Sequence, residues 1–85
     1  MKVKLIIYSK LKDYVEGYGE NDGIIIEVSH HKSIRKFLEE TIEHPRAMDA
    51  ISMVIVNDTV VPFNQLDRNL QDKDIIKVYP PMGGG

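Results

Sequence analysis

No cysteine occurs among the 85 residues, which removes disulfide scaffolds, thiolate metal sites, thioredoxin-like redox motifs and any cysteine nucleophile. A long apolar run is missing too. Met1-Lys2-Val3-Lys4-Leu5-Ile6-Ile7-Tyr8 returns to polar residues after one short hydrophobic segment, too little for a signal h-region or a spanning helix. Nor does charge of one sign dominate. Eleven basic against 13 acidic residues leave a net charge of −2, too balanced to track a phosphate backbone or adhere to anionic lipid. Neither nucleic acid nor a membrane is therefore expected as a partner, and the expected location is cytoplasmic. At this length one domain with one modest core is expected, burying about 60 to 65% of the unfolded chain's surface without covalent help.

What is present is alternation. Lys2 to Tyr8 is rich in β-branched and aromatic residues, with Val3, Leu5 and Ile7 on one face and Lys2, Lys4, Ile6 and Tyr8 on the other. That predicts a first strand. Between Ser9 and Gly23, Leu11, Tyr14, Val15 and Tyr18 recur at helical spacing, so a short helical segment closed by Gly17 or Gly19 is predicted. Gly23 to Val28, dense in isoleucine, predicts a second strand. Ser33 then stands as N-cap before Ile34 to Glu43, where Ile34, Phe37, Leu38, Thr41 and Ile42 share one helical face. His44-Pro45 is expected to end this helix, because the residue before a proline is pushed out of the α region.

Pro45 to Ala50 reads as a connector with room for one helical turn. Ile51 to Val56 and Val60 to Phe63 flank Asn57-Asp58-Thr59, short polar residues that tolerate positive φ, so a hairpin is predicted. Pro62 makes its second arm short and places it at an edge. Asp67 to Asp74 is a charged loop with Leu70 tucked inward, and Ile75 to Tyr79 the last strand, stopped by Pro80-Pro81. The order β-β-α-β-β-β predicts an α+β layer arrangement, a mixed sheet of about five strands crossed by one main helix. The body is expected to span residues 1–79, and residues 80–85 to form a flexible glycine-rich tail.

The tail, Tyr79-Pro80-Pro81-Met82-Gly83-Gly84-Gly85, demands a reason. Ordering a glycine run costs on the order of 1–2 kcal/mol per residue and gains nothing by packing. Recognition would supply one; the alternative is an end with no role that is simply left disordered. Without Cβ atoms the backbone threads a narrow channel, and the final carboxylate is presented without shielding. Met82 to Gly85 would reach about 14 Å beyond the last proline. Pro80 and Pro81, each with fixed φ, would stiffen the base of that arm.

Joined to this body, the tail resembles those of the ubiquitin-like β-grasp sulfur carriers of the MoaD/ThiS family, most closely the small subunit of molybdopterin synthase. Tyr8-Ser9-Lys10-Leu11-Lys12-Asp13 looks like the family's aromatic-small-x-hydrophobic-basic-acidic segment, and Val56-Asn57-Asp58 like its Val-Asn hairpin. Leu70-Gln71-Asp72-Lys73-Asp74 is similar to its Leu-x-Asp-Gly-Asp turn, with Lys73 in place of the glycine. The ending is similar to its aromatic-Pro-Pro-aliphatic-x-Gly-Gly, with Gly83 where a small residue is usual. The lysine implies a turn made by Asp72 and Lys73 with different backbone angles.

The resemblance implies a β-grasp fold and a non-catalytic carrier that binds no cofactor. An E1-like adenylyltransferase would use Mg-ATP to activate the C-terminal carboxylate of Gly85, and sulfur transfer would leave a thiocarboxylate there. The acceptor would be a pterin precursor in the molybdopterin synthase large subunit, a step of molybdenum cofactor biosynthesis. Gly84, Gly83, Met82, Pro81 and Pro80 would be recognised along the tail. Strand parity places Tyr8 and Tyr79 on outer faces near its base, and Val60 at the hairpin would complete an apolar patch. In the family the matching positions meet both partners. The same tail chemistry fits sulfur delivery in thiamine or cysteine biosynthesis, or a protein modifier joined to target lysines through Gly85.

Other constellations are weaker. His30-His31 lacks a third ligand at a known spacing, and adjacent residues in extended chain point apart, so no metal site is expected. His44 is expected to complement the negative end of the helix dipole. Glu39, Glu40 and Glu43 read as a solvated helix face, and Asp67, Asp72 and Asp74 lack the glycine and distal glutamate of a calcium loop. Neither a P-loop nor a nucleophile elbow is present.

Overall fold

Alternation along β1 (Lys2–Ile7) buries Val3, Leu5 and Ile7 and leaves Lys2 and Lys4 in solvent. Four further strands join it: β2 (Ile24–Glu27), β3 (Met53–Val56), β4 (Thr59–Val61) and β5 (Ile75–Tyr79). The sheet order is β2-β1-β5-β3-β4. The two terminal strands lie side by side and parallel, Leu5 opposite Ile76 and Ile7 opposite Val78, and every other pairing is antiparallel. The structure is a computed structural model that describes residues 1–81; the expectations for Met82, Gly83, Gly84 and Gly85 lie outside the described residues.

One α-helix, α1 (Ile34–Thr41), supplies Ile34, Phe37 and Leu38 to the core shared with the inner sheet face, where Leu5, Val54, Ile76 and Val78 are fully buried. Ser33 caps it as expected, its hydroxyl accepting the Lys36 N–H at 3.1 Å. The helix nevertheless stops short of His44-Pro45. Ile42 leaves it with φ −89 and ψ 104, and the next N–H, of Glu43, donates to the Tyr14 carbonyl at 2.8 Å. A tertiary hydrogen bond thus ends the helix before the proline acts. His44 accordingly sits beyond the last turn, not at the dipole's end. Its ring meets Tyr14 edge-on at 4.6 Å, and its Nδ1 accepts the Arg46 N–H.

The segment after β1 is also tighter than its periodicity suggested. Lys10–Tyr14 is a 3-10 helix capped by the Ser9 hydroxyl, and Val15 is already extended. Leu11, Val15 and Tyr18 are buried while Tyr14 is half exposed, and Gly17 supplies the positive φ of +80° at which the chain reverses. Another 3-10 turn, Ala47–Ala50, fills the connector before β3. The hairpin turn is made by two residues, Asn57 and Asp58, both with positive φ, because Val56 pairs with Thr59. Pro62 follows edge strand β4 directly, so Phe63 opens a 3-10 turn and does not extend the strand. His30 and His31 lie in a turn, His31 with φ 66, and not in extended chain. Among the described residues a mixed five-stranded sheet carries one α-helix on its inner face, the α+β arrangement that the element order predicts.

Candidate functional site

The root of the tail is built by the parallel pairing of β1 and β5. Because the strands run in the same direction, Tyr8 and Tyr79 emerge together at their carboxyl ends, on the face opposite the helix. Their rings stack with centroids 4.7 Å apart and planes within 17°. The Tyr8 N–H donates to the Val78 carbonyl at 3.0 Å, so the ladder continues to this point. On the other side of β5, Ser52 holds the chain as it leaves the sheet. Its N–H donates to the Tyr79 carbonyl at 2.9 Å and its hydroxyl to the Pro80 carbonyl at 2.6 Å. Pro80 is half buried and Pro81 exposed. Sequence reasoning missed Ser52, since one serine before a strand carries no periodic signal.

The three expected patch residues share the outer sheet face but do not touch as a trio. Tyr8 (49% exposed) meets Tyr79, whereas Val60 (55% exposed) pairs with Ile55, two strands away from β5. Register fills the gap: Met53 lies opposite Tyr79, and Ile55 opposite both Lys77 and Val60. Ile6 continues the row on β1, opposite Lys77. Further along lie Ile25, at 67% the most exposed large hydrophobic among the described residues, and Ile75. The face is therefore an apolar surface set with Lys2, Lys4, Lys77 and Glu27, the last opposite Lys2. Parity of each strand carried the signal for Met53, Ile55 and Ile75, but only the strand order joins them. Contiguous exposed apolar surface of this kind is suited to docking.

Two of the segments singled out in the sequence meet at the far end of β5. The Asn57 side chain donates to Asp74 Oδ1 at 2.7 Å and accepts the Ile75 N–H at 2.9 Å, tying the hairpin turn to the start of β5. Asp74, nearly buried, also accepts the Gln71 N–H through its other oxygen at 2.8 Å. Lys73 takes φ +70°, the conformation a glycine adopts freely, so a turn of the glycine's kind is kept and strained by the lysine. The reason is a clamp on β1: the Lys73 N–H donates to the Lys2 carbonyl at 2.7 Å, and Asp72 Oδ1 accepts the Lys2 N–H at 2.8 Å. That backbone N–H, more than any nearby cation, holds the Asp72 carboxyl below its ordinary range. The described part of the site holds side chains suited to docking, with Pro80 and Pro81 leaving the sheet beside them.

A family model described as the ThiS family matches residues 10–85. No curated protein matches the chain significantly by sequence. Among solved structures, the chain is similar to a putative molybdopterin converting factor subunit 1 from Pyrococcus furiosus, with TM-score 0.68 and 22% identity over 96% of this chain and 99% of that one. A chain from a complex of subunits 1 and 2 of the molybdopterin-converting factor from Helicobacter pylori matches with TM-score 0.61 and 21% identity, over 100% of this chain and 100% of that one. Small archaeal modifier protein 1 from Haloferax volcanii matches with TM-score 0.66 and 12% identity, over 95% of this chain and 98% of that one. At these identities the likenesses speak for the fold.

Proposed function

This chain belongs to the ThiS family, and from that premise we propose that it is a sulfur carrier whose reactive group is the C-terminal carboxylate of Gly85. The observation that carries the reading is the tail root: a Tyr8–Tyr79 stack and a Pro80 carbonyl held by Ser52, beside an open apolar sheet face. A partner that docks on that face finds the Pro-Pro-Met-Gly-Gly-Gly segment at a fixed starting point. In the proposed cycle the Gly85 carboxylate attacks the α-phosphorus of Mg-ATP in an E1-like adenylyltransferase and releases pyrophosphate. A sulfide-level donor then displaces AMP, leaving one sulfur where one carboxylate oxygen stood. The carrier contributes no general acid or base.

The acceptor we favour is a pterin precursor held by a molybdopterin synthase large subunit. Supporting this are the aromatic-Pro-Pro form of the ending and the fold shared with two molybdopterin converting factor subunits. Incubation with an E1-like enzyme, Mg-ATP and a sulfide donor should give the intact-mass gain of an oxygen-to-sulfur exchange. Deleting Gly84 and Gly85 should abolish it, and no gain with several active E1-like enzymes refutes the reading. The fold shared with a small archaeal modifier protein favours a second reading, isopeptide linkage of Gly85 to lysines. Tryptic cleavage after Lys77 would leave the segment 78–85 on a target lysine, and such remnants in lysates that vanish when Gly85 is deleted would select it. Sulfur delivery for thiamine or cysteine biosynthesis shares the activation step and is separated by which acceptor the charged chain converts.

A further inference from the structure

Beside β1 the surface opens into a groove that ends at the tail root. It exists because β2 is shorter than β1: pairing stops at Leu5 and Ile24, and Gly23 carries the chain away where a Cβ would meet the Leu5 carbonyl at 3.2 Å. The Ile7 N–H left over on that edge is satisfied by the buried Tyr18 hydroxyl at 2.9 Å. What remains is a groove whose lining includes Lys4, Tyr8, Lys10, Lys12 and Asp22, together with Pro80 and Pro81 of the tail root. Three of these side chains are cations and one is an anion, in a chain whose net charge is −2. None of the three lysines forms an ion pair among the described residues, whereas Lys32, Arg35, Arg46 and Lys77 each face a carboxylate.

We propose that this groove receives an extended acidic segment of the protein partner that acts on the tail. Charge complementarity selects the occupant: three unpaired ammonium groups favour carboxylates, and Tyr8 supplies apolar ring surface between them. The four strand steps from Lys4 to Tyr8 span about 13 Å, the length of about four extended residues. An occupant running along β1 arrives beside Pro81, where the tail departs. Its role in tail chemistry rests on the sulfur-carrier reading above, but its binding does not require Gly85.

The test is an NMR titration of the isotope-labelled full chain with an acetylated, amidated octapeptide of alternating glutamate and leucine. Saturable shifts are expected at the amides of Lys4, Tyr8, Lys10 and Lys12, and none with the glutamine counterpart. The exposed pair Lys10→Glu/Lys12→Glu should weaken binding roughly ten-fold, and Lys10→Gln/Lys12→Gln should weaken it less; dispersed spectra report that both variants fold. Shifts of equal size at Lys36 and Lys73, an undiminished affinity in the reversed variant, or no saturable shift overturn the proposal. Deleting Gly84 and Gly85 should leave the titration unchanged. Lost titration with intact sulfur loading sinks the groove alone, and the reverse pattern sinks the carrier reading alone.

Discussion

Replacing Asn57 separates a backbone effect from a side-chain effect at the junction of hairpin and terminal strand. Asn57 holds φ +50°, donates to Asp74 Oδ1 at 2.7 Å and accepts the Ile75 N–H at 2.9 Å. In Asn57→Ala the left-handed backbone costs about 1 kcal/mol. Loss of a charge-assisted hydrogen bond and a neutral one adds about 1–3 kcal/mol, at the low end because water reaches this site. The sum is about 2–4 kcal/mol, a fall in Tm of roughly 10 to 25 °C for a domain of this size. Asn57→Gly removes the same hydrogen bonds but relieves the backbone, so it should cost about 1 kcal/mol less than alanine. Urea unfolding read at constant m resolves both values. An alanine variant within 0.5 kcal/mol of the parent, or a glycine variant worse than alanine, would refute this reasoning.

Lys73→Gly should be stabilising by about 0.5–1 kcal/mol, since relief of the left-handed lysine exceeds the added chain entropy; a lower urea midpoint contradicts it. Tyr18→Phe leaves the buried Ile7 N–H unpaired and should cost about 1–3 kcal/mol, with hydrogen exchange at Ile7 accelerating more than at Leu5. Asp72, held below its ordinary value of 3.8 chiefly by the Lys2 N–H, contributes stability that is present above that value and lost as pH falls through its depressed folded one. Asp72→Asn should therefore flatten the loss of stability below pH 3.8, and identical acid profiles would contradict the linkage.

Strand positions and their inward faces were legible because β-branched residues alternate cleanly: Val3, Leu5, Ile7, Ile76 and Val78 all lie where parity puts them. The same parity placed Tyr8 and Tyr79 outside. Long-range geometry was not legible. Nothing local announces that β1 and β5 run parallel side by side, yet that pairing creates the tyrosine stack. Helical periodicity runs on past the observed end of α1 because that end depends on the Tyr14 carbonyl, more than 25 positions upstream. The Leu11–Tyr18 periodicity is compatible with successive tight turns as well as with an α-helix, and Ser9 capping with Gly17 reversal decides for the former. Lys73 shows the limit of residue rules: two hydrogen bonds to Lys2 hold a lysine where glycine is preferred.

A single-turnover transfer tests the carrier claim most directly. The chain is first charged with isotopic sulfur at Gly85, then mixed with a molybdopterin synthase large subunit and the pterin precursor. The account predicts that label leaves the C-terminus as it enters the pterin, mole for mole, returning the carboxylate. Label that stays on the chain while the large subunit is active with another carrier, or a C-terminus found joined to lysines, would contradict it.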